Sequence, residues 1–294
     1  MGRGVWVASL AGLLGVTALA VHAADPAHAQ EREQRGADGR EQRGADESER
    51  PTAEADEVDP RAAAVVRRMS DYLTGLRRFE VTADSMTEVV LDSGQKLQLV
   101  ATSNIQLDRP NLRSERRGEL AHVTFYYDGD TITIYGQRQN MYAQADAPDD
   151  LDAALDFTRE RLDADAPGAD LLYSDSYAGL MEGARSGIYV GPAEIDGVVC
   201  DHVAFRGEEV DFQLWVEQGE RPLPRRYVIV TKDQQAAPEF AVDLHDWNLS
   251  PTFAAGTFSF EPPPGAQRIE FLGEVEARRL ARGRIQGGEE GAGT

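Results

Sequence analysis

From Phe79 to Phe260 the chain is built of short segments in which apolar and polar residues alternate, and one stretch, between about Asp149 and Gly183, has helical spacing instead. A period of two gives each strand one dry face and one wet face. A succession of such strands without intervening helices dictates an antiparallel sheet, because a parallel sheet needs cover on both faces. A sheet of about ten strands does not stay flat; it curls into a barrel, a half-barrel or a strongly curved open sheet.

The alternation is explicit in two places. Phe79, Val81, Ala83, Val89 and Leu91 mark Phe79–Leu91, and Leu97, Leu99, Ala101, Ser103, Ile105 and Leu107 mark Lys96–Leu107. Ser93-Gly94, Asp128-Gly129 and Asp196-Gly197 are hairpin signals that join this pair, Val123–Tyr127 to Thr131–Tyr135, and Ile188–Ile195 to Val198–Phe205. Further strands are expected at Val210–Val216, Tyr227–Lys232 and Phe240–Trp247. Ahead of the sheet, Asp59-Pro60 is a cap followed by proline at the first helical position. Val65, Met69, Tyr72, Leu73 and Leu76 then trace one apolar stripe of a helix that packs on the sheet. Within the insertion, Leu151, Leu155 and Leu162 mark one helix. Leu171 to Met181 mark a second, capped by Ser174 or Asp175.

The ends read differently. Arg3 precedes an uncharged apolar run, Val5 to Val21, followed by small-x-small sites at Val21-His-Ala23 and Ala27-His-Ala29, which predicts a secretory signal peptide over 1–29. An uncleaved anchor is the competing reading, but no basic stop-transfer cluster follows, and no cysteine stands where a lipid anchor would attach. Residues 30–58 are dense in charge and repeat Arg-Glu-Gln-Arg-Gly-Ala-Asp at 32–38 and 40–46, so a disordered acidic spacer is expected. The folded domain is expected over 59–272 and a loose tail over 273–294. The formal net charge of −21 argues against nucleic acid and anionic membrane surfaces as partners, since both are bound through basic patches. Cys200 is the single cysteine, so no intrachain disulfide is possible and the core alone must hold the fold.

Residues that announce chemistry are scarce. Beyond the signal the histidines are His122, His202 and His245. Cys200 and His202, two apart on a strand, share a face and could touch one metal, yet a site needs a third or fourth ligand, and no His-x-His or Cys-x-x-Cys cluster occurs elsewhere. A buried thiol beside a hydrogen-bonded imidazole is the favoured reading. Of Asp243, His245 and Asp246, strict alternation lets only Asp243 and His245 cooperate in acid–base chemistry. Asp149, Asp150, Asp152 and Asp156 open a helix, where carboxylates favour the dipole, rather than forming a metal cluster. Arg221-Pro-Leu-Pro-Arg-Arg226 reads as a loop feeding the next strand. No nucleotide loop, Gly-x-Ser-x-Gly elbow or His-Glu-x-x-His helix occurs. The expectation is therefore no catalytic residue, no metal and no cofactor.

What remains is the dry face of the sheet. An apolar concavity under short helices is a ligand site by default, and Leu97, Leu99, Phe125, Ile132, Ile134, Phe212 and Leu214 are its candidate lining. Each buried methylene contributes about 0.8 kcal/mol, so a fourteen-carbon acyl chain gains roughly 10 kcal/mol before association costs. Such a site needs no charge or catalytic group. The alternative is a face filled by its own side chains.

Several strings carry a resemblance: Ala169-Asp-Leu-Leu-Tyr-Ser-Asp175 with Leu180-Met-Glu-Gly183, Gly197-Val-Val-Cys-Asp-His202, Trp215 with Pro222-Leu-Pro224, Asp246-Trp-Asn-Leu249, and Phe258-Ser-Phe-Glu-Pro-Pro263 with Gly265-Ala266. Over roughly 61–271 the chain resembles domain of unknown function 2092, a family of predicted periplasmic proteins. That family looks related to the superfamily of the lipoprotein carriers LolA and LolB, which share the closing Phe-x-Phe-x-Pro-Pro-x-Gly string. The resemblance implies an α+β fold: a strongly curved antiparallel half-barrel of about 10–11 strands with an N-terminal helix and a two-helix insertion over its concave face. It transfers no catalytic residue and no role for Cys200 or His202.

The function expected is a periplasmic, non-enzymatic carrier or binding protein for a lipid or acylated ligand. An envelope protein-sensing module that binds a peptide or partner domain is the alternative, and a hydrolase or metalloenzyme using Cys200, His202 or His245 the third. No nucleic-acid partner and no stable membrane span after signal cleavage are expected.

Overall fold

A computed structural model of the protein describes residues 57–271, apart from 92 and 163–165. The expected signal peptide, nearly all of the spacer and the C-terminal tail lie outside the described residues.

Twelve strands form one sheet: β1 (Arg78–Val90), β2 (Lys96–Asp108), β3 (Asn111–Gly118), β4 (His122–Tyr127), β5 (Thr131–Gly136), β6 (Met141–Asp146), β7 (Ala184–Ile195), β8 (Val198–Gly207), β9 (Val210–Glu217), β10 (Pro224–Thr231), β11 (Glu239–Asn248) and β12 (Gln267–Ile269). Their order is β12-β6-β5-β4-β3-β2-β1-β11-β10-β9-β8-β7, so the sheet runs from β12 at one edge to β7 at the other without closing. All pairings are antiparallel except β12 on β6. The curled, unclosed α+β sheet is the class expected. The strand count is higher because β3, β6 and β12 have no clean apolar alternation. At the hairpins, Asp196 and Gly197 both have positive φ, +49° and +77°, the geometry that lets a two-residue turn follow the strand twist.

Helix α1 (Pro60–Gly75) starts where expected, with the Asp59 carboxylate accepting from the Arg61 backbone N–H at 2.8 Å. Val65, Val66, Met69 and Leu73 are buried and face β7, β8 and β9. In the insertion, α2 (Leu151–Leu162) buries Leu151, Leu155 and Leu162 as the spacing predicts. The second expected helix is instead two pieces: a 3-10 turn, Ala169–Leu172, and α3, Ser176–Glu182, capped by Asp175. Tyr173 between them is extended, and Ser174 gives its N–H and its hydroxyl to Asp152 of α2. That competing partner breaks the helix. The core lies between the concave face and these helices and is continuous from α1 to β11.

Candidate ligand cavity

Pairing registers stack the concave face in rows. Phe79 and Leu112 lie at the base, with Trp247 packed on Phe79 at a ring separation of 5.2 Å. Above them Val81, Ile105, Ser114, Phe125 and Ile134 follow one another across β1 to β5. The next row is Leu244, Ala83, Ser103, Arg116 and Val123, and higher still come Val242 with Ser85 and Phe240 with Thr87 and Leu99. Leu155 and Thr158 of α2, with the segment 166–172, stand opposite.

The two walls do not meet. They enclose a cavity of about 330 Å³. Val100 and Leu120, 55% and 52% exposed, belong to its wall, so it opens at the end of the β1–β2 hairpin and the β3–β4 turn. Arg138 holds that rim by donating to the carbonyls of Gly118 and Glu119, both at 2.7 Å. The base is apolar, with Phe79, Leu112 and Trp247, while above it Ser114, Ser103, Arg116, Ser85 and Thr87 stand among apolar neighbours such as Leu99, Phe240 and Val242.

Of the candidate lining residues, Leu99, Phe125 and Ile134 stand in the cavity wall. Leu97 shares their face of β2 but lies beyond the wall, exposed near the mouth. Ile132, Phe212 and Leu214 are buried in the hydrophobic core and stand outside the cavity wall. Sequence reasoning missed β3, and with it Ser114 and Arg116. Period-two counting from Leu112 would have put Ser114, Arg116 and Gly118 on its face.

On the opposite face, Cys200 is buried with its thiol toward the Val198 carbonyl, and burial pushes its pKa up to about 11. His202 stacks on Trp215 at 4.0 Å, its Nε2 is 3.0 Å from Gln213 Oε1, and burial lowers its pKa. These are a packed thiol and a hydrogen-bonded imidazole.

The pairing that strict alternation would allow, Asp243 with His245, does not occur. Asp243 binds Arg226 at 3.2 Å, while His245 lies between Asp84 on Nε2, 3.0 Å, and Asp246 on Nδ1, 2.9 Å. Asp246 has φ of +54° in a bulge where the β1–β11 register slips, and this brings adjacent residues to one side. The two carboxylates occupy opposite ring nitrogens. Among the described residues no cluster of His, Cys, Asp and Glu could hold a metal. Of the four aspartates near α2, Asp150 caps it through Ala153 N–H, Asp152 ties down Ser174 and Asp156 accepts from the Tyr173 hydroxyl.

A family described as predicted periplasmic proteins, domain of unknown function 2092, matches residues 62–272. The chain belongs to this family. With membership comes the periplasmic location that the description of the 2092 family gives, and no described helix is long and apolar enough to cross a membrane. No curated protein matches the chain. Among solved structures the family member is similar to the lipoprotein LppX of Mycobacterium tuberculosis, at 15% identity and TM-score 0.43 over 66% of this chain and 98% of that one. A LolA superfamily protein of Nitrosomonas europaea gives 11% and 0.36, over 68% and 97%. The MucA/MucB complex of Pseudomonas aeruginosa gives 12% and 0.35, over 68% and 61%. At such identities and scores no residue role is carried over.

Proposed function

We propose that the protein is a periplasmic carrier or binding protein that holds a lipid or acylated ligand in the half-barrel cavity, without covalent chemistry. One observation carries this reading: the sheet and the insertion leave about 330 Å³ unfilled between mainly apolar walls, with an opening at one end. Ligand sites commonly run about 300–1,000 Å³ and are apolar with a few placed polar groups. Close-packed interiors rarely leave such a space.

Ser103→Phe tests it by filling the cavity from a side chain that already faces it. The protein binds a fluorescent acyl ligand, and the Phe variant folds to similar stability with at least tenfold weaker binding. Unchanged binding in the folded variant contradicts the reading.

A partner-binding module that adds a strand would engage the β7 edge of the sheet, and that edge argues against it. Strand β7 ends the sheet, and among the described residues its outer edge is met by Val58 at Gly187. Register breaks at Ala184/Ser186 and Tyr189/Gly191, together with Pro192, interrupt that edge and blunt it against strand addition. A stoichiometric partner that co-purifies and is lost on deleting residues 30–58 would favour the module.

A further inference from the structure

Strand β3 carries three arginines with different surroundings. Arg113 and Arg117 point to the outer face, where Glu115 between them binds both, at 2.8 and 2.6 Å, and His122 as well at 3.0 Å. Arg116 faces the other way. It is the basic residue of the cavity wall, half-buried, with no carboxylate within ion-pair distance and no hydrogen-bond partner among the described residues. Its guanidinium lies over Gly118, with Nη1 3.5 Å from where a side chain there would begin. It therefore sits between the apolar base and the rim. Glu119, the acidic residue of the described wall, is exposed at the mouth and faces the Val100 N–H at 3.5 Å instead. Ser103 lies directly across from Arg116 and Ser114 beside it, and neither hydroxyl has a hydrogen-bond partner among the described residues.

A cation withdrawn from water without a counter-charge destabilises a fold. Burial, with no offsetting charge, pulls the guanidinium pKa below its usual value, yet arginine stays protonated in proteins. A fork of donors set above an apolar well matches an amphiphile: tail on Phe125 and Ile134, head on the guanidinium.

We propose that Arg116 is a ligand-binding residue selecting acyl ligands whose head group is an anion, a carboxylate or a phosphate. This rests on the carrier reading and specifies its ligand class. The acidic protein does not attract anions at long range; Arg116 is the local group that does.

The test compares tetradecanoate, tetradecyl phosphate and tetradecanol, with inorganic phosphate as the tail-less control, by competition against a fluorescent acyl ligand. At least one anionic amphiphile binds about tenfold or more tightly than the alcohol, because a charge-assisted hydrogen bond is worth that much. Inorganic phosphate alone competes weakly. Which anion wins distinguishes a fatty-acid head from a phospholipid one. In Arg116→Gln the preference collapses to within about twofold, and Arg116→Lys retains part of it. Equal binding of anion and alcohol by the native protein overturns this inference and leaves the carrier reading standing. No binding of any of the three overturns both.

Discussion

The carboxylate of Asp152 holds Ser174 twice, accepting from its backbone N–H at 2.9 Å and its hydroxyl at 2.6 Å. Asp152 is buried in α2, and Ser174 lies between the 3-10 turn and α3, so this contact ties together the elements that roof the cavity. Asp152→Ala leaves that N–H unpaired and is expected to lower stability by about 2–3 kcal/mol in denaturant titrations. Ligand dissociation is expected to speed up by more than the affinity change of an outer-face control. A loss under about 0.5 kcal/mol would mean that the roof is held elsewhere.

Cys200 stands apart from the cavity and is sealed. With its thiol raised to about 11 by burial, it is unreactive toward alkylating reagents at about pH 8 in the native protein, since the thiolate is the reacting form. Labelling is expected to follow the denaturant unfolding curve. Fast labelling of folded protein would contradict the packing.

The His245 ring is desolvated, which pulls its pKa down, but hydrogen bonds to Asp84 and Asp246 outweigh this and raise it above the usual value. A raised folded pKa stabilises fully below the unfolded value of about 6.5, and the contribution fades as pH rises through the folded value. With ring and carboxylates partly exposed it stays below about 1 kcal/mol. An NMR titration of the ring is expected to show the upward shift, and Asp84→Asn to reduce it. Identical titrations in both proteins would remove Asp84 from the pair.

Leu214 and Phe125 separate core from cavity. Leu214 is fully buried in packed core, so Leu214→Ala is expected to cost about 2–5 kcal/mol of stability and leave the affinity of the folded protein within about twofold. Phe125 stands in the wall beside open space. Phe125→Ala is expected to weaken acyl binding about tenfold and to destabilise less than Leu214→Ala. The reverse ordering in calorimetry and binding would misplace the cavity.

Alternation and hairpin signals made β1, β2, β4, β5 and β7 to β11 legible, because each turns mainly apolar residues toward the core or the cavity wall. They could not reveal β3. Ser114 and Arg116 are the residues that β3 turns into the cavity wall, so its inward face does not read as apolar. Lining candidates were legible by strand face, not by depth: Leu99 and Leu97 share a face, and only the position of the insertion decides which one meets the cavity. The His245 pair was hidden by one left-handed residue, Asp246, since strict alternation assigns neighbours to opposite faces.

The central claim is that the half-barrel holds cargo. Native mass spectrometry of the protein isolated from the periplasm, followed by organic extraction of what it carries, addresses that claim most directly. The account predicts an acylated molecule bound at one per chain and absent from the Ser103→Phe variant. Protein that emerges empty in repeated preparations and takes up no acyl ligand when offered one would contradict it.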